Sequence, residues 1–105
     1  MDKELILQQE AANDGQTIHL YFDEMVGLYL AFGLSAYYTD MVTDPILSYS
    51  ESLGKPVALL GKQQVLYLRQ GLTKEKHQRS TYYRFRMRQP VGEAGYKRWL
   101  ARVKK

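Results

Sequence analysis

The sequence predicts an α/β chain of the α+β kind, a mixed β-sheet with a hairpin near the C terminus and about three flanking helices, forming one domain over residues 1–105. Three observations lead there. Apolar and polar residues alternate with a period of two at 17–22 and again at 82–88; apolar residues fall at helical spacing over 96–103; and the short apolar runs between are punctuated by Gly54-Lys55 and Gly61-Lys62. A chain of 105 residues, 45% hydrophobic and 25% charged, is the size of one ordinary core.

Taken in order, Asp2 is placed to cap a first helix over residues 3–12, and "NDGQ" at 13–16 stops it, with Gly15 suited to a left-handed turn. "TIHLYF" (17–22) alternates Ile18, Leu20 and Phe22 with His19 and Tyr21, which is a strand pattern in β-forming residues. Asp23 and Glu24 end it. "MVGLYLAFGLSAYYTDMV" is too long for one strand, so the expectation is a short strand through Leu28 and then a helix, closed by Asp44-Pro45. "ILSYSE" (46–51), "PVALLG" (56–61) and "QQVLYLRQ" (63–70) read as strands, the last joined by the polar loop 71–79 to the strand "STYYRFRMRQ" in an antiparallel hairpin. In the last segment Tyr96, Trp99, Leu100 and Val103 sit at i, i+3, i+4 and i+7, one face of a basic amphipathic helix. Phe85, Met87, Trp99, Leu100 and Leu68 are expected to meet in one core.

The net charge of +4 conceals an asymmetry. Residues 1–61 carry two basic and nine acidic side chains, a net of −7, whereas residues 62–105 carry thirteen basic and two acidic ones, a net of +11. Such a division marks either a surface that faces nucleic acid or a domain whose halves attract each other. There is no cysteine, which excludes disulfides and thiolate metal sites. The apolar run near the start, Leu5–Leu7, is too short for a signal-peptide core, and the longest uncharged run, 25–39, is diluted by Gly27, Gly33 and Ser35. A cytoplasmic chain with no membrane partner is expected.

"TIHLYFDEMVGLYLAFGLSAYY" resembles the start of the N-terminal mismatch-recognition domain (domain I) of MutS proteins, and more closely the small stand-alone bacterial proteins related to it. Those carry a strand, a glycine turn and an aromatic-rich run into a helix; Leu28, Tyr29, Ala31, Phe32, Ser35 and Ala36 occupy the run here. The resemblance covers about a fifth of the chain. It implies a mixed sheet flanked by helices and contact with nucleic acid. In the repair enzymes a phenylalanine wedges into the duplex and a glutamate contacts the mispaired base; Leu28 and Leu30 stand at those positions, so mismatch reading is not implied.

Within "STYYRFRMRQ", Arg84, Arg86 and Arg88 occupy alternate positions and would line one face of a strand, repeating every 6.6 to 6.8 Å or so. Tyr82 on the same face offers a ring for base stacking. With Arg79 from the preceding loop and Arg98 and Arg102 from the last helix, these residues make the candidate nucleic-acid surface, for DNA or RNA, working through backbone phosphates. Two bland readings stand beside it. Alternating arginines keep an edge strand soluble, and Lys/Arg on a helix's polar face is ordinary. The alternative function is a self-associating or protein-binding module, a homodimer included, whose arginines pair with Asp23, Glu24, Asp40 or Asp44. Among the nine tyrosines, Tyr29, Tyr37, Tyr67, Tyr83 and Tyr96 are expected in the core and Tyr38, Tyr49 and Tyr82 near solvent. His19 and His77 lack neighbours at metal-ligand spacing, and no catalytic motif is present, so neither an enzyme, a cofactor nor a metal is expected.

Overall fold

The computed structural model describes residues 2–75 and 81–104. Helix α1 (Lys3–Ala11) starts where Asp2 accepts a hydrogen bond from the Leu5 amide at 3.1 Å. It ends in a turn around Gly15, whose φ of 81° favours glycine. The Gly15 carbonyl accepts from the amides of Val91 (2.7 Å) and Gly92 (3.0 Å), and a Cβ there would lie 3.3 Å from Gly92 Cα. This turn therefore anchors the segment leading to the last helix.

Strands β1 (Thr17–Asp23) and β2 (Leu28–Phe32) form a hairpin, and β2 runs through Gly33 directly into α2 (Leu34–Val42). Gly33 makes this abrupt change of direction at φ 59°, while its amide donates to Pro56 O at 3.0 Å. The strand expected to run through Leu28 instead begins there and continues to Phe32, because Tyr29, Leu30, Ala31 and Phe32 pair in register with Leu60, Leu59, Ala58 and Val57. β3 (Ile46–Ser50) and β4 (Lys55–Leu60) lie where the sequence places them.

The stretch 63–70, expected as a strand, is a helix: α3 spans Lys62–Gly71. Val65 and Leu68 are buried and Leu66 and Tyr67 exposed, a three-residue period that a strand cannot produce. Gln64 fixes its start by accepting from the Gly61 amide (3.0 Å) and donating to Asp44 O (2.6 Å). The terminal hairpin accordingly joins β6 (Tyr82–Arg86) to the short β5 (Thr73–Glu75), not to residues 65–70. Helix α4 (Tyr96–Val103) closes the described chain.

The six strands are ordered β3-β4-β2-β1-β6-β5. The α+β class expected from sequence is the one observed, and every strand pairing among the described residues is antiparallel. One sheet face, bearing Ile18, Leu20, Ala31, Ala58, Leu60 and Phe85, packs against α2, α3 and α4 through Ala36, Tyr38, Val65, Leu68 and Trp99. Phe85, Met87, Trp99 and Leu68 meet there with Leu100 packed against them, as the sequence predicts. The opposite face, bearing Tyr21, Leu30, Phe32 and Val57, packs against Ile6 of α1. Tyr38 is fully buried and donates to Gly92 O at 2.8 Å, whereas Tyr67 is 53% exposed; their expected environments are exchanged, Tyr67's because α3 is a helix. No helix among the described residues is long and apolar enough to cross a membrane.

Candidate nucleic-acid interface

The arginine ladder starts in β6, which lies between β1 and β5. Strand alternation turns Phe85 to the three-helix face, and so turns Tyr82, Arg84 and Arg86 to the face that carries α1. Across the ladder, Arg84 stands opposite His19 of β1 and Glu75 of β5, and Arg86 opposite Thr17 and Thr73. On the β1 side the strand pairing thus sets His19 and Thr17, both polar, beside these arginines.

Their contacts follow from that register. Arg84 Nε donates to the Tyr82 hydroxyl at 3.2 Å, with its guanidinium carbon 5.9 Å from the Tyr82 ring centre. The same hydroxyl lies 2.6 Å from His19 Nδ1, and the two rings stack. Burial raises the Tyr82 pKa, opposed by the hydrogen bond and charge of Arg84. Arg86 reaches Asp14 Oδ2 at 3.5 Å and Gln16 Oε1 at 3.2 Å. Although partial desolvation acts the other way, hydrogen bonds from Thr17 and the Gln16 amide, with the charge of Arg86, hold the Asp14 carboxyl below its ordinary pKa. Arg88 lies beyond the end of β6, and its Nε donates to Gly71 O at 3.0 Å, at the C-terminal end of α3, where a cation meets the negative end of the helix dipole.

Arg98 and Arg102 lie elsewhere. α4 packs on the three-helix face through Trp99, whose Nε1 donates to Asp40 Oδ2 at 2.8 Å and whose ring lies 5.4 Å from that of Tyr37. Asp40 is therefore engaged by an indole, not by an arginine. Arg98 and Arg102 are both exposed and four residues apart, on one side of the helix about 6 Å apart along its axis. Among the described residues neither side chain makes an ion pair or a hydrogen bond. Arg84 and Arg86 thus lie on the opposite face of the sheet from the basic helix, whereas Arg88 is held at the end of α3. Arg79, together with Lys76 and His77, lies outside the described residues.

Of the positions that carry the resemblance, Leu30 and Phe32 are buried on the α1 face and Leu28 packs beside them. Tyr29 points to the other face, its ring 4.9 Å from Phe22 and 5.6 Å from Tyr83. Ser35 and Ala36 are fully buried at the start of α2. Ser35 belongs to a polar cluster that the sequence reading missed: its amide donates to Glu10 Oε1 (3.1 Å), its hydroxyl donates to Glu10 Oε2 (2.6 Å), and it accepts from the His19 amide (2.9 Å). Glu10 is 6% exposed, and burial pushes its pKa up to about 7, although the Ser35 bonds, Asn13 and the charge of Lys55 act against it. The signal was there in Ile6 and Glu10, spaced i, i+4 on one helix face, which puts a carboxylate on the stripe that must be buried. Among the described residues no group of three or more His, Cys, Asp or Glu side chains is disposed to hold a metal ion. No family model, curated protein or solved structure matches the chain.

Proposed function

We propose that this protein is a non-enzymatic module that contacts nucleic-acid phosphates through its three-helix layer, with Arg98 and Arg102 as the principal contacts. The observation that carries the reading is their freedom: two exposed guanidinium groups share one helix side with no intrachain partner among the described residues. Arg84, Arg86 and Arg88, by contrast, are bonded to Tyr82, Asp14 and Gln16, and the end of α3. The exposed Lys97 adds charge to the same helix. Contacts of this kind fix position on a phosphate backbone without reading sequence. Kinship with the small proteins related to the MutS mismatch-recognition domain belongs to the proposal; what supports it is that β1, a turn with Gly27, β2 and α2 follow one another along the stretch that carries the resemblance.

The test is a titration of labelled single-stranded and duplex oligonucleotides at low salt with the wild type, the double variant Arg98→Gln/Arg102→Gln and the triple variant Arg84→Gln/Arg86→Gln/Arg88→Gln. The double variant is expected to lose affinity for every sequence and the triple variant to keep most of it. No binding by the wild type at tens of micromolar would end this reading. It would favour a second one, a protein-binding module, supported by an open groove of about 720 Å³ between α2, α3 and residues 87–91, with Met41 and Tyr67 exposed on its rim.

A further inference from the structure

The two edges of the sheet are built differently. At one end β5 is three residues long, Thr73-Lys74-Glu75, and two of the three are charged, a common guard against pairing with another chain. At the other end β3 is Ile46-Leu47-Ser48-Tyr49-Ser50, five residues with neither a charge nor a proline. Nothing in its composition discourages another strand.

The register says which backbone groups this edge presents. Gly33 donates to Pro56 O, so Pro56 turns toward β2 and its neighbours Lys55 and Val57 turn toward β3. Their partners Ser50 and Ser48, and Ile46 opposite Leu59, therefore bond inward to β4. Leu47 and Tyr49 are left pointing their N–H and C=O groups outward, and among the described residues neither takes part in a backbone hydrogen bond outside the sheet ladder. These two residues lie symmetrically about Ser48.

We propose that β3 pairs with β3 of a second copy of this chain in an antiparallel, twofold arrangement centred on Ser48. Leu47 of each copy then exchanges two hydrogen bonds with Tyr49 of the other, giving four in all, and the two Ser48 residues face each other as a non-hydrogen-bonded pair. The register is chemically self-consistent, because every opposed pair is neutral: Ile46 with Ser50, Leu47 with Tyr49, Ser48 with itself. The occupant is a second copy, not an arbitrary strand, for a reason on the α1 face. Ile46 is 69% exposed, and in this register it lies against Ser50 of the other copy, on the rim of a groove of about 370 Å³ lined by Ser48, Ser50, Leu53, Leu59 and Ile6. Each copy thus supplies an exposed isoleucine to the other's groove. On the opposite face Lys104 Nζ, just past α4, lies 5.0 Å from the Tyr49 ring centre.

This proposal is independent of phosphate contact and is tested without nucleic acid. Sedimentation at hundreds of micromolar should show a species of twice 12.2 kDa that dissociates on dilution. Ser48→Lys, at an exposed position, sets two ammonium groups face to face and should leave only monomer, with far-ultraviolet circular dichroism unchanged. Because the chain has no cysteine, Ser48→Cys gives a second readout. A non-hydrogen-bonded antiparallel pair brings Cα atoms to about 4.5 Å, within disulfide range, so mild oxidation should crosslink this variant but not Gln70→Cys. A wild type that stays monomeric, a dimer that survives Ser48→Lys, or equal crosslinking of the two cysteine variants would overturn the arrangement.

Discussion

On the α1 face, Arg84 and Arg86 lie within the sheet, bonded to Tyr82, Asp14 and Gln16; on the three-helix face, Arg98 and Arg102 stand on the outer side of α4 with no such partner among the described residues. The same side chain therefore stands in two environments, set by the element that carries it. A strand residue is flanked at about 5 Å by residues of its neighbouring strands, and those of β1 are polar where β6 places its arginines. A helix residue on the outer side has only its own helix beside it. Between α1 and the start of α2, Glu10, Ser35 and the His19 amide form a buried hydrogen-bonded cluster.

The comparison breaks most readily at Trp99. It is 4% exposed at the centre of the helix layer, so Trp99→Ala is expected to cost roughly 3 to 5 kcal/mol in chemical denaturation. An unchanged denaturation midpoint would mean that α4 is not held as described.

Next is the pH dependence of the α1 face. Glu10 has its pKa raised to about 7 in the folded chain from an ordinary 4.5, so the folded state keeps a proton that the unfolded state gives up. The sign follows: below about pH 4.5 both states are protonated and the shift costs nothing, and as pH rises through 4.5 to 7 stability falls by about 3 kcal/mol. Asp14, held below its ordinary value, acts in the opposite direction and only under more acid conditions. Glu10→Gln imitates the protonated form and should flatten melting temperature against pH between 5 and 8. A wild-type profile already flat across that window would contradict the buried carboxylate.

Smaller still is the effect of Arg86→Gln on folding. Both partners of the Arg86–Asp14 contact are about half exposed (46% and 49%), so the loss should stay within roughly 1 kcal/mol. Smallest is the comparison of matched and mismatched duplexes. With Leu28 and Leu30 at the positions of the wedge and the carboxylate, and Leu30 buried beneath α1, competition should reveal no preference between them.

Much of the fold was legible because its periodicities were unambiguous. "TIHLYF" sets Ile18, Leu20 and Phe22 alternately with His19 and Tyr21, and Trp99, Leu100 and Val103 fall on one helical face. Residues 63–70 misled because Val-Leu-Tyr-Leu reads as an apolar run at either period; the arbiter was the spacing from Val65 to Leu68, both buried, with Gln64 bonding back to Gly61. The candidate site was legible only as a pattern. Alternation told which residues share a face with Arg84, but not that β1 would sit beside β6 and bring Asp14 and His19 to it across more than sixty residues of chain. Such long-range pairing leaves no local signal.

The central claim, that the free arginines of α4 and not the strand ladder meet phosphates, is tested most directly by the salt dependence of oligonucleotide binding. Each phosphate contact removed should flatten the slope of log affinity against log salt by roughly 0.7 to 0.9. Arg98→Gln/Arg102→Gln should therefore reduce it by about 1.4 to 1.8, while Arg84→Gln/Arg86→Gln/Arg88→Gln leaves it nearly unchanged. A slope that flattens with the ladder variant and stays at its wild-type value with the α4 variant would contradict the account.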